Sequence, residues 1–213
     1  MPRTIPERKP REQRRAELLG AAREGFIASG YHAASMDDIA DHAGVSKPVL
    51  YQYFAGKLYL YLALLDAAMM RLTAGIDDAL ASGPDDRARV EALIRAFFTF
   101  ASDPRGDYHL VFDSDMVNDP AVHERVRRFD EALTTRVSDM LIQDAELERG
   151  RSRLTAAALL GLAQRAAWHW ASASGPDAPG AHVDGDLAAE LVTQLAWLGV
   201  RGLVPPAESS PGM

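Results

Sequence analysis

Three glycines, Gly30, Gly44 and Gly56, cut a helical apolar pattern into pieces only about two turns long. Helices that short are not stable alone in water, because nucleation is unfavourable and few hydrogen bonds follow it. They must fold against each other and against a longer helix. Upstream, Leu18, Ala21, Ala22, Gly25 and Phe26 recur at helical spacing from Arg11 onward, and Ser29-Gly30 closes that helix. Ser35 follows as an N-cap with Asp38 three residues on, the pattern of a capping box. Met36, Ile39, Ala40 and Ala43 then make one short apolar face that Gly44 stops. Ser46 is the next N-cap. Pro48 falls in the first helical turn, where a missing N–H costs nothing because early amides have no helical acceptor. This third helix ends near Tyr53-Phe54.

The rest of the chain also reads as helix, with no alternating strand and no internal repeat. The expected helices run from Lys57 to about Ala81, through the Val90, Leu93, Ile94, Phe97, Phe98, Ala101 stripe, over Tyr108–Val117, from Val122 to about Leu147, over Arg153–Ala173 behind Gly150, and over Asp186–Leu203. The fold class is therefore all-α: a three-helix head plus a helical C-terminal body, about nine helices in all. The expected organisation is a disordered basic arm at 1–10, a head at 11–56, a body at 57–203, and a flexible tail at 204–213.

Net charge is −7 over 213 residues, which at first argues against a polyanionic partner. Its distribution argues the other way. Residues 1–60 hold nine Lys/Arg against seven Asp/Glu, and the remainder holds fourteen against twenty-three. The first fifteen residues carry Arg3, Arg8, Lys9, Arg11, Arg14 and Arg15 against Glu7 and Glu12. A basic end ahead of an acidic body suits a protein that meets a polyanion at one end only. There is no cysteine, which excludes disulfides and thiol chemistry. The start lacks the apolar stretch of a signal peptide, and no uncharged apolar run reaches ~20 residues. The expectation is a cytoplasmic protein with no membrane role.

Two short helices joined by a tight glycine-containing turn, after a longer one, form a helix-turn-helix, whose second short helix enters a DNA major groove. The residues suit that task. Ser46 and the first amides of the helix can meet phosphate. Lys47 reaches a base edge or phosphate, Pro48 and Val49 suit a thymine methyl, Gln52 can pair with adenine, and Tyr51 and Tyr53 add ring surface and phenol donors. Ser35 and Lys57, at the starts of the flanking helices, complete the candidate set. Val45, Leu50 and Phe54 are expected in the core of the head.

No nucleotide loop, nucleophile elbow or His-Glu-x-x-His zinc motif is present, so catalysis and a bound cofactor are not expected. His169, on an apolar helix, reads as a core histidine rather than a base. Asp113, Asp115, Asp119 and Glu124 have part of a calcium-loop spacing, but Val117 and Asn118 stand where a ligand and a glycine are needed.

The stretch GYHAASMDDIADHAGVSKPVLYQYFAGKLYLYLALLD, from Gly30 to Asp66, resembles the DNA-binding domain of TetR-family regulators. The Gly-Tyr turn, Ile39-Ala40, Ala43 to Ser46, Leu50-Tyr51, Tyr53-Phe54 and Lys57 all fall in register. Tyr53 departs where the family often has histidine, as does Leu58 where an acid is common. The resemblance implies an all-α homodimer whose heads read a palindromic double-stranded operator, with a variable C-terminal domain for a small-molecule effector.

In the body, Ala156, Ala157, Leu160, Gly161, Ala167, Leu187, Leu191, Leu195 and Leu198 allow close helix approach, so the last two long helices are the expected dimer seam. Met69, Leu72, Ile76 and Leu80 share one helical face that can meet Phe97, Phe98 and Phe100. Phe112, Met116, Phe129, Leu133 and Trp168 extend an apolar interior suited to an apolar ligand. The segments KPVLYQ to LYLALL, FFTF and YHLVFDSDMVNDPAV are similar to actinobacterial FasR-like regulators of fatty acid synthesis. That similarity implies a long-chain acyl-CoA effector, with Leu72, Leu80 and Phe97 lining the chain; the helix Lys57–Ala81, which spans head and pocket, is the expected lever between them. Two other readings stand beside it: a TetR-type repressor responding to a drug or another hydrophobic molecule, and a lipid-binding module that never meets DNA.

Overall fold

The computed structural model describes residues 10–145, 148–173 and 183–203. Within them lie nine helices and no strand: α1 (Arg11–Ala33), α2 (Met36–His42), α3 (Lys47–Tyr53), α4 (Lys57–Ser82), α5 (Asp86–Ser102), α6 (Asp107–Phe112), α7 (Pro120–Ala145), α8 (Arg149–Ser172) and α9 (Gly185–Leu203). Most of the basic arm and the whole C-terminal tail expected from the sequence lie outside the described residues. Packing divides the chain into two compact units, Met1–Ala68 with Arg105–Glu124, and Met69–Pro104 with Arg125–Met213. The sequence reading drew its boundary between 56 and 57. Packing draws the start of α4 and the whole of α6 into the first unit.

In the first unit, α1 packs on α2 and α2 on α3. Leu18, Ala22, Ile39, Leu50 and Phe54 are buried between them, while Val45 is only half-buried. Each large apolar side chain so buried stabilises the head by about 2 kcal/mol. Ser35 caps α2: its hydroxyl accepts from the Asp38 amide at 3.1 Å and donates to the Asp38 carboxylate at 2.6 Å. Ser35→Ala is expected to cost about 1 kcal/mol, readable as a lower urea midpoint. The turn from α2 to α3 is a Schellman closure. Gly44 takes a positive φ of 63°, its amide donates to the Asp41 carbonyl, and the Val45 amide donates to the Ala40 carbonyl. Ser46 caps α3 by backbone geometry, and Pro48 sits in the first turn.

Gly30 does not simply end α1. It kinks the helical span, at φ 73° and ψ 168°, and leaves Tyr31 at the start of a further short turn. The long-range cap on that turn is the Asp115 carboxylate, which accepts from the Tyr31 amide at 3.0 Å. Two more polar contacts hold α6 and its following loop to the first unit. Asp107, fully buried, lies 3.0 Å from Arg23 Nε of α1, in an ionic contact rather than a linear hydrogen bond. The Tyr61 hydroxyl donates to the Leu110 carbonyl at 3.3 Å and meets the Ser114 hydroxyl. Burial pushes that phenol above its usual range; the Ser114 bond opposes this and the Asp115 charge reinforces it. Gly106 enters α6 at φ 67°, with Ile27 of α1 filling the space a Cβ would need.

In the second unit, α5 packs on both α8 and α9, which also pack on each other. The core is Leu72, Ile76, Leu93, Ile94, Phe97, Leu133, Val137, Leu160 and Ala163. A buried hydroxyl pair, Ser138 and Ser152 at 2.9 Å, joins α7 to α8. The start of α9 is fixed by its Asp184 cap, by Arg95 of α5 on Asp186, and by Trp170 Nε1 donating to the Val183 carbonyl at 2.8 Å.

Several sequence expectations need correction. Helix α6 is six residues long and stops at Phe112 rather than Val117, because the Ser114 side chain takes the Met116 amide and Asp119 takes those of Ala121 and Val122. Gly150 does not divide two helices; it lies inside the first turn of α8, where its lack of side chain costs little. His169 is exposed and not part of the core. Helix α4 is long and apolar enough to cross a membrane by length and composition, but half of its apolar window is buried in the folded chain, as expected of a core helix.

Candidate functional site

The candidate site begins at α3. Ser46, Lys47, Pro48, Tyr51 and Gln52 are exposed, whereas Leu50 and Phe54 turn inward. Val49 and Tyr53 are half-buried. Proline in the first turn and capping by Ser46 start this helix abruptly, so its first amides point outward at its positive end. The Ser46 hydroxyl makes no capping bond and is available to a partner. Ser35 differs: its hydroxyl proton is committed to Asp38.

Charge gathers around this helix from three directions. Lys47 Nζ sits on the Asp37 carboxylate of α2, 2.8 Å from one oxygen and 3.0 Å from the other. From α1, the Arg11 guanidinium lies 6.0 Å from the Tyr53 ring centre, and that of Arg15 lies 5.3 Å from the Phe54 ring. Lys57, expected to hold a phosphate, donates to the His32 carbonyl at 3.1 Å and lies 4.6 Å over the Tyr31 ring. It thereby ties α4 to the turn after Gly30, and its other ammonium hydrogens are left for a phosphate.

The nine side chains expected to line an apolar ligand divide differently. Leu72, Ile76, Phe97, Phe98, Phe129 and Met69 are buried in the second unit, and Leu80 and Trp168 are half-buried there. Phe112 belongs to the first unit, where its ring lies 4.9 Å from Tyr108. Trp168 carries the Arg165 guanidinium over its ring at 4.2 Å. Phe98 lies tilted against Trp170, with ring centres 5.4 Å apart. These nine line none of the three cavities described, the most apolar of which is a groove of about 500 Å³ between α8 and α9. Above that groove Leu187, Leu191, Leu195 and Leu198 are all at least half exposed.

Residues 18–64 match the family model described as bacterial regulatory proteins, tetR family. The chain is 42% identical over 193 residues to the transcriptional activator FasR of Mycolicibacterium smegmatis, covering 91% of this chain and 85% of that protein. The chain belongs to the TetR family. Among solved structures, a TetR-like regulator from Rhodococcus sp. RHA1 superimposes with a TM-score of 0.73 at 27% identity, covering 92% of this chain and all of that one. FadR from Bacillus subtilis, solved in complex with stearoyl-CoA, gives 0.70 at 18% identity, covering 85% and 96%.

The TetR match contains every residue assigned above to the DNA face, from Ser35 to Lys57. As a TetR-family member the chain is a DNA-binding transcriptional regulator and not an enzyme. TetR-family regulators bind DNA as dimers. Sequence reasoning missed the placement of Arg11 and Arg15 on the rings that end α3. Their basic character was legible, but which aromatic each would meet was not. It also missed Asp37, which reads as one more acid in a helix's first turn. The partial calcium-loop spacing has structural uses instead: Asp115 and Asp119 cap backbone amides, and Asp113 lies 3.4 Å from His109. Among the described residues no group of acids and histidines is arranged to hold a metal.

Proposed function

We propose that this regulator senses a long-chain acyl-CoA and through it controls genes of lipid metabolism in the cytoplasm. The observation that carries this reading is the identity with FasR across both units, 42% over 91% of the chain. The FadR structure holding stearoyl-CoA supports it by showing that the same fold admits an acyl-CoA. We assign Leu72, Leu80 and Phe97, in the apolar second unit, to the path of the acyl chain. The protein acts as a homodimer joined through α8 and α9, with the two α3 helices reading the half-sites of a palindrome.

The effector works by shifting a population, so it must bind one arrangement of the dimer better than the other. The chain passes between the units at 68/69, 104/105 and 124/125. Helix α4 supplies the first crossing. Residues 105–124 supply the other two, and Arg23–Asp107, Tyr31–Asp115 and Tyr61–Leu110 fasten that segment to the head. The lever is therefore both α4 and this clamp.

The test is selection of bound sequences from random duplex DNA, with and without stearoyl-CoA. A palindrome whose occupancy changes with stearoyl-CoA supports the reading. One indifferent to it leaves a regulator of another hydrophobic signal, and no selection at all removes the regulator. Phe97→Leu, a small volume change costing about 1 kcal/mol of stability, is expected to shift the stearoyl-CoA midpoint by about tenfold with ligand-free DNA affinity unchanged. Titration by fluorescence anisotropy on the selected duplex reads both.

A further inference from the structure

We propose that Asp37 is a specificity-determining residue, which holds Lys47 as one half of a paired donor and acceptor that reads a base edge. The proposal rests on the DNA-binding reading and adds a residue to it. Asp37 and Asp38 both lie in the first turn of α2, but they do different things. Asp38 completes the cap with Ser35. Asp37 takes no part in that cap and reaches ten residues along the chain to the first residue of α3. Both of its oxygens lie within 3.0 Å of Lys47 Nζ, so the ammonium sits astride the carboxylate.

Stability does not account for this pair. Both side chains are more than half exposed, and exposed ion pairs contribute little to folding. For DNA binding, a carboxylate on this face repels phosphate and occupies the lysine that opens the reading helix. The arrangement therefore weakens binding to any duplex that offers only its backbone. It has a use where the target presents a hydrogen-bond acceptor beside an amino donor. Lysine has three donors, and two of them directed at Asp37 leave one for an acceptor. The carboxylate has lone pairs free to accept an amino hydrogen. Adenine presents that pattern in the major groove, N7 beside the N6 amino group. The hydrogen bond to Asp37 also raises the Lys47 pKa, which favours the charged ammonium.

The experiment compares the full chain with Asp37→Ala, Lys47→Gln, the double variant, and Asp41→Ala as a second exposed acid on α2. On a random-sequence duplex, Asp37→Ala frees Lys47 for a phosphate. The plot of log K against log salt should steepen by about one, and binding at low salt should tighten. That change should vanish in the Lys47→Gln background. In selection from random DNA, the wild type should fix an adenine in each half-site at a position where Asp37→Ala loses about tenfold of its preference. The proposal is overturned if Asp37→Ala leaves slope and selected sequence unchanged, or if it weakens random and selected duplexes by one common factor. It is also overturned if Asp41→Ala has the same effect, which would mark bulk charge. A wild type that selects no sequence at all overturns the regulator reading along with it.

Discussion

Asp107→Ala is expected to destabilise the first unit by about 3 kcal/mol, because it strands the Arg23 guanidinium in a largely buried place. Asp107 is fully buried and Arg23 largely so, hence water replaces the missing partner only in part. Arg23→Leu should also destabilise the unit, because it removes one partner of a fully buried carboxylate. The double variant Arg23→Leu with Asp107→Leu should recover most of the loss, since a buried ion pair is often no better than apolar groups of similar volume. The chain offers a convenient readout. All three tryptophans, Trp168, Trp170 and Trp197, lie in the second unit. In urea, helix content followed by circular dichroism should begin to fall before tryptophan fluorescence changes in Asp107→Ala. Coincident transitions at the wild-type midpoint would show that the pair does not hold the unit together.

Leu195→Glu is expected to abolish the dimer at micromolar concentration and, with it, tight operator binding. Leu195 is 64% exposed in the protomer, on the same face as Leu187, Leu191 and Leu198 and at the edge of the α8/α9 groove. In a two-fold dimer each substitution occurs twice. Two lost leucine contacts and two carboxylates forced from water amount to about 5 kcal/mol or more, beyond a thousandfold in dissociation constant. The folded protomer should be almost unaffected, because the residue faces outward there. Sedimentation velocity should show one chain in place of two, and operator affinity should fall toward that of a single head, since linkage between half-sites is lost. A variant that remains dimeric would move the seam off α8 and α9.

Most of the head was legible because local chemistry dictates it. Ser35 with Asp38, Gly44 at positive φ, and Pro48 after Ser46 each act within a few residues, and the short helices sit where those signals place them. The inward turn of Leu50 and Phe54 followed from spacing. Long-range pairings were not legible. No local rule links Tyr31 to Asp115 or Arg23 to Asp107, eighty-four residues apart in each case. The end of α6 was misjudged for a related reason. The apolar residues on either side of Asp113-Ser114-Asp115 suit a helix, but Ser114 and Asp119 satisfy the backbone in another way, and Met116 is buried without helical neighbours. His169 was misplaced because an apolar composition does not reveal which face of a helix is covered.

The way residues 105–124 complete the first unit has a consequence for protein engineering. Heads of related regulators are attractive modules to exchange, so that one sensor drives another operator. A junction at 56/57, where the helix-turn-helix ends in sequence, would deliver a head whose Arg23 and Gly30 kink meet a foreign α6 and loop, and would leave Tyr61 behind. A workable hybrid must graft in two pieces, the N-terminal stretch to Ala68 and the insert Arg105–Glu124, and keep the donor's Asp107, Leu110 and Asp115 with the donor's α1.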